Sequence, residues 1–181
     1  MRIIAGTVGG RSIRAPKGAA TRPTADRVRE ALFNILAARS DPPERALDLY
    51  AGSGALGLEA LSRGCGRVTF VEQSTSACAL IDENAAALGL RDHADILCKR
   101  VMDFVRAHQK ERYGWIFVDP PYQSRELPRV LDNLGPLLAP GGLVVAEHST
   151  HEQPDEIHGG LALADRRRYG QTALSFYTEK A

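Results

Sequence analysis

Asp119-Pro120-Pro121-Tyr122 joins a carboxylate, two carbonyls without a competing N–H, and an aromatic ring in four consecutive residues. The combination suits an amine whose lone pair is delocalised into a ring and is therefore a poor nucleophile. A carboxylate and a backbone carbonyl accepting its two N–H bonds favour pyramidal nitrogen and offset the positive charge that grows on it. The prolines stiffen the turn, and Tyr122 offers a face on which an extracted base stacks. The implied chemistry is alkylation of an exocyclic base amine, with Asp119, Pro120 and Tyr122 as the catalytic set and no metal required. Taken alone, the same tetrapeptide also reads as a surface turn after a strand.

A second constellation lies upstream, where residues 47–57 run from an apolar strand through Asp48, Ala51, Gly52, Ser53 and Gly54 into a helix at Gly57. The glycines allow a tight turn and close approach of a ligand to backbone, and the helix start presents unpaired N–H groups. Glu72 ends the next strand, where a carboxylate can accept both hydroxyls of a ribose. Gly52, Gly54 and Gly57 also satisfy G-x-G-x-x-G, so a nicotinamide dinucleotide competes with S-adenosylmethionine for this loop. Asp48 favours the second, because an acid near the loop suits an ammonium group better than a pyrophosphate.

These residues need a scaffold, and the hydrophobic pattern supplies one. Short apolar runs at 46–50, 67–72, 94–99, 115–119 and 143–147 alternate with helical stretches at 56–63, 74–88, 102–112 and 126–138. That alternation is the mark of βαβ units around a mostly parallel sheet. Asp119 then falls at the carboxyl edge, where open α/β sheets bind ligands. In the second helix Ala77, Ile81, Asn84 and Leu88 form one face, with Ser74 as cap. Segments 161–169 and 172–178, separated by Gly170-Gln171, read as an antiparallel hairpin at the end of the chain. Ahead of the core, 2–5 and 11–15 flank Gly9-Gly10 as a small two-stranded element. A helix over 25–38 follows, with Thr24 as N-cap and Val28, Leu32, Ile35 and Leu36 as its buried stripe.

The 181 residues fit one domain, with residues 1–40 as an N-terminal extension. Residues 1–30 hold seven basic against two acidic side chains, a local +5 in a chain whose total is +1. A basic arm on a near-neutral body fits an anionic partner, though it also fits a solvated charged surface. Cys65, Cys78 and Cys98 form no C-x-x-C pair, which argues against a disulfide framework and a zinc site and favours a reducing cytoplasm. No apolar run reaches the length of a membrane span, and no signal peptide is expected.

The opening Arg2-Ile3-Ile4-Ala5-Gly6 with Gly10-Arg11, the segment from Arg22-Pro23-Thr24 through Phe33-Asn34, the glycine loop with Leu58-Glu59-Ala60, and Asp119-Pro120-Pro121-Tyr122 together resemble the bacterial 16S rRNA guanine-N2 methyltransferases of the RsmD family. The resemblance covers most of the chain, and the Arg22 to Asn34 segment is its most specific part. It implies the class I methyltransferase fold, a Rossmann-like sheet closed by an antiparallel hairpin. It also implies S-adenosyl-L-methionine as cofactor and a substrate that is one guanine of 16S rRNA within a 30S particle. The cofactor contacts would come from Thr24, Arg27, Asp48, Ala51, Gly52, Ser53, Gly54, Glu72, Gln73, Val101, Met102, Asp103 and Asp119. Arg11, Arg22, Arg27 and Arg29 would meet RNA phosphates, unless Arg27 and Glu30 form a local ion pair. The resemblance thus implies RNA and cofactor binding for the N-terminal extension, residues 1–40. The enzyme is expected to act as a monomer without a membrane partner. Relatives place an acid after the third strand for the adenine amine; here that position holds Arg100, so Asp103 or the backbone near Val101 and Met102 would substitute. Three alternatives stand beside this reading: a DNA adenine-N6 methyltransferase, a non-catalytic RNA-binding assembly factor, and a nicotinamide-dependent oxidoreductase.

Overall fold

The computed structural model describes residues 1–16, 23–121 and 125–180, and only the backbone of 23–25. Among these, eight strands form one sheet: β1 (Arg45–Leu49), β2 (Arg67–Glu72), β3 (Ala94–Cys98), β4 (Tyr113–Val118), β5 (Leu138–Ser149), β6 (Ile157–His158), β7 (Leu161–Tyr169) and β8 (Thr172–Glu179). The spatial order is β3-β2-β1-β4-β5-β8-β7-β6. The first five strands pair in parallel, and β8 inserts antiparallel between β5 and β7. The expected mostly parallel sheet with a C-terminal antiparallel hairpin is therefore the observed one.

The parallel centre is buried on both faces, which is why its strands read as continuous apolar runs. Ala46, Val68, Phe70, Trp115 and Phe117 face one layer, formed by the N-terminal arm, α1 (Pro23–Arg39), α2 (Ala55–Ser62) and α3 (Thr75–Leu88). Leu47, Leu49, Val71, Ile116 and Val118 face the other, formed by α4 (Val101–Ala107) and α5 (Leu127–Leu131). No helix among the described residues is long and apolar enough to cross a membrane.

Several boundaries differ from the periodicity. The helix α1 is already under way at Pro23, so Thr24 lies in its first turn rather than at the cap. A proline there has its φ preset and loses only an N–H that the helix leaves unpaired. On its buried face Phe33 joins Val28, Leu32 and Leu36, with its ring 5.7 Å from that of Phe117, and Ile35 packs partly buried against the same core. The helix expected over 126–138 closes at Leu131, and a 3₁₀ turn at Gly135–Leu137 follows. Pro136 disfavours helical geometry in the residue before it. The helix expected to reach 112 stops at Ala107, where His108 Nδ1 and Gln109 Nε2 take the carbonyls of Phe104 and Val105.

The expected N-terminal two-stranded element reduces to a single bridge, Arg2 to Ser12, extended by bonds from Ile3 N to Arg11 O (2.9 Å) and from Ile13 N to Met1 O (3.0 Å). What holds it is Glu59. This fully buried carboxylate accepts the backbone N–H of Ile4 (2.7 Å) and Ala5 (3.0 Å) and pairs with Arg63 Nε (2.7 Å). Gly6 lets the arm lie against the end of α2, for a Cβ there would sit 1.9 Å from Ser62 O.

Candidate active site

Strand register sets the site. Leu49 aligns with both Val71 and Val118, and Val118 aligns with Ala146. The next residue on each chain, Tyr50, Glu72, Asp119 and Glu147, therefore stands in one row along the carboxyl edge of β1, β2, β4 and β5.

On the β1–β2 side the carboxylates are tied to backbone. Asp48 is buried, and its Oδ2 accepts the N–H of Gly57 at 2.8 Å, in the first turn of α2. Gly54 caps that helix without a side-chain bond, so Asp48 supplies from beneath an acceptor for one of the N–H groups that a helix start leaves unpaired. Gly57 must be glycine, since a Cβ would meet the Phe70 ring at 2.2 Å. Burial pushes the Asp48 carboxyl up from 3.8 to about 7, with Glu72 adding to the rise and the Gly57 bond opposing it. Glu72 accepts the N–H of Gly52 at Oε2 (3.0 Å) and that of Ser74 at Oε1 (2.9 Å). Each oxygen retains lone-pair capacity for a further donor. The loop turns on positive φ at Tyr50 (60°), Gly52 (54°) and Gly54 (78°). Asn84, buried on α3, donates to Ser53 O (3.0 Å) and also bonds both the N–H and the carbonyl of Arg14. The arm and the glycine loop thus share one side chain.

A small cavity of about 30 Å³ opens beside this loop, lined by Tyr50, Gln73, Arg100, Val101, Met102 and Glu126. It brings Gln73, Val101 and Met102 together as expected. Asp103 stands exposed in the first turn of α4 and is not among the lining residues, so Arg100 and the backbone hold the position for which an acid was expected.

On the β4–β5 side a larger cleft of about 320 Å³ runs over Pro120, Pro121, Arg125, Glu147, His148 and Gln153. Asp119, partly buried, immediately precedes the Pro120 that lines it. Burial raises its carboxyl well above the usual range, and the neighbouring charges of Glu147 and Asp48 raise it further. The cleft wall is cross-braced. His148 Nδ1 donates to Ser149 O (2.8 Å), and its Nε2 accepts from the Ser175 hydroxyl (2.8 Å). That hydroxyl accepts in turn from Arg166 Nε (2.8 Å), whose other nitrogens reach Gln153 (3.0 Å) and Pro154 (2.6 Å). Burial lowers the His148 imidazole below its ordinary value, consistent with this neutral arrangement.

Tyr50, Glu126 and Glu147 join the site without having been expected there. Tyr50 donates to Glu126 Oε2 at 2.9 Å, bridging the glycine loop to the start of α5. Its place just before the loop was the available signal; Glu147 offered none beyond standing at a strand end.

Of the arginines expected at RNA, Arg27 is exposed on α1, and so is Glu30; the ion pair of this turn is Arg29 with Asp26 (3.1 Å). Arg29 itself is buried and donates to Arg2 O, so its guanidinium braces the arm rather than facing outward. Phe33, four residues on and in the core, marked that face. Arg11 donates to the carbonyls of Ala87 and Leu88 at the end of α3, where a cation offsets the helix dipole. Arg22, Tyr122 and the side chain of Thr24 lie outside the described residues.

The family model described as "Conserved hypothetical protein 95" matches residues 1–178. The "Ribosomal RNA small subunit methyltransferase D" of Escherichia coli strain K12 is 34% identical over 100% of this chain and 91% of its own length. This chain belongs to the RsmD family. Another relative, the "Putative rRNA methyltransferase YlbH" of Bacillus subtilis, is 36% identical over 99% of this chain and 100% of its own. The solved structure of the putative methyltransferase yhhF from Escherichia coli superposes with a TM-score of 0.85 at 34% identity, covering 100% of this chain and 98% of that one. The RsmD fold accordingly takes in the described residues of the N-terminal arm as well as the sheet.

Proposed function

We propose that this RsmD-family protein is an rRNA methyltransferase that places a methyl group from S-adenosylmethionine on the exocyclic N2 amine of one guanine in 16S rRNA. Its substrate is a 30S assembly particle, and it works as a cytoplasmic monomer. The observation that carries this reading is the alignment of Asp119 and Pro120, on one sheet edge, with the glycine loop and Glu72.

The residues present fit the methyl donor. Glu72 is fixed by two amides at the strand end with acceptor capacity left for a ribose, and Gln73, Val101 and Met102 line the adjoining cavity. When bound, that cofactor supplies an electrophilic methyl on a sulfonium centre. Asp119 and the Pro120 carbonyl accept the two N–H bonds of the amine and aim its lone pair, and Tyr122 stacks on the base. Alignment accounts for much of the barrier in such a transfer. After attack the nitrogen must lose a proton. Asp119, with its proton affinity raised by burial and by Glu147, is suited to take it. Exposed Arg27 and the arm contribute to RNA binding.

Purified protein with tritiated S-adenosylmethionine and undermodified 30S particles tests the reading. Label in N2-methylguanine of 16S rRNA is expected; label confined to naked DNA or to adenine would overturn it.

A further inference from the structure

Asp119 and Pro120 account for an amine but not for the choice of base, since the exocyclic amines of adenine and guanine present the same two N–H bonds. The bases differ in the neighbouring ring atom. Guanine carries an N1–H beside its N2 amine, whereas adenine carries an N1 lone pair beside its N6 amine. We propose that Glu147 selects guanine by accepting the N1–H while Asp119 and the Pro120 carbonyl hold the amine. The inference rests on the reading of Asp119 as the amine-holding residue.

Three observations carry it. Val118 and Ala146 are register partners, so Asp119 and Glu147 leave adjacent parallel strands at the same level, about 4.8 Å apart between strands. That spacing suits two acceptors meeting neighbouring donors on one base edge. Glu147 also lines the cleft with Pro120 and Pro121. Its backbone is fixed as well: β5 continues through Ser149, Glu147 aligns with Leu174 of β8, and the His148–Ser175–Arg166 chain braces the next residue. A selecting group needs that rigidity, because a loose carboxylate would swing away from the wrong base at little cost. Adenine placed with its amine on Asp119 would turn the N1 lone pair toward Glu147 and leave that acceptor facing another acceptor. A polar group built to meet an N–H and denied one discriminates strongly.

The test uses 16S rRNA reassembled into 30S particles with either guanine or 2-aminopurine at the methylated position. 2-Aminopurine keeps the 2-amine but carries a lone pair at N1; its missing O6 is common to every enzyme compared and cancels from the ratio. Wild-type protein should favour guanine by at least about a hundredfold in kcat/KM. Glu147→Gln, whose amide can donate to N1, should bring the two substrates within about tenfold or reverse the order. Glu147→Ala should narrow the ratio by weakening guanine more than 2-aminopurine. Retention of the wild-type ratio in both variants overturns the proposal. So does loss of activity on both bases by variants that keep their circular dichroism and cofactor binding, since Glu147 would then serve the transfer and not the choice. Failure of the wild type to methylate guanine N2 at all would instead remove the functional reading beneath it.

Discussion

The two halves of the sheet edge each hold a carboxyl lifted by burial, Asp48 on one side and Asp119 on the other, and differ in what surrounds it. On the β1–β2 side, Asp48 and Glu72 are tied to backbone N–H groups of Gly57, Gly52 and Ser74, and the ties shape the loop. On the β4–β5 side, Asp119 is lifted by burial and by a second carboxylate at its flank. Charge answered by amides makes a rigid receptor for a molecule that must be held. A carboxyl lifted by burial and by the neighbouring charges of Glu147 and Asp48 makes a base, ready to receive a proton from a molecule that must react.

The strongest break of this contrast is Asp119→Ala. Methyl incorporation should fall about a thousandfold, far beyond any loss in cofactor affinity; a fall under tenfold would mean that Asp119 is not the reacting half. Asp48→Asn probes the other half through stability. Because the folded carboxyl titrates near 7 and the unfolded one near 3.8, the folded state holds the extra proton between those values. Stability contributed by this group is therefore greatest below pH 4 and is lost as the pH rises to 7, by about 4 kcal/mol at about 1.4 kcal/mol per tenfold in proton affinity. The asparagine, still able to accept from Gly57, should flatten that slope in urea midpoints taken at pH 4, 5.5 and 7. An unchanged slope would locate the titrating charge elsewhere.

Glu72→Gln loses one of two acceptor oxygens. It should raise the KM for S-adenosylmethionine roughly 10- to 100-fold while leaving kcat within a few-fold. An equal loss in kcat would erase the division between holding and reacting. The smallest effect is expected from Tyr50→Phe, which removes the bond to Glu126 that links the halves. A change of about threefold to tenfold in kcat/KM, from one partly buried hydrogen bond, is expected in steady-state assays.

The residues legible beforehand were those whose role follows from local chain geometry. Asp48, Gly52, Gly54, Glu72 and Asp119 each sit where a strand ends or a loop turns, so the pattern of runs was enough to bring them to one edge. Glu147 and Tyr50 depend on which strands lie side by side and in what register, which a linear pattern does not encode. Arg29 looked like part of a basic surface because charge is counted along the chain, whereas burial is decided by the helix face it shares with Phe33. Glu59 carried no signal beyond its place in the segment after the glycine loop, and only its bonds to Ile4 and Ala5, more than fifty residues away, reveal an anchor.

The sheet order has a consequence for biosynthesis. The strand that covers the outer edge of β5 is β8, the last of the described strands to leave the ribosome, while β7, made before it, lies one place further out. Until residue 179 emerges, β5 keeps an open edge, and Ser175 is not yet in place to brace His148. The glycine loop, complete a hundred residues earlier, can fold first. A nascent chain therefore holds its glycine loop and Glu72 well before the wall of its acceptor cleft, and its exposed β5 edge is the segment most in need of protection from pairing with other chains.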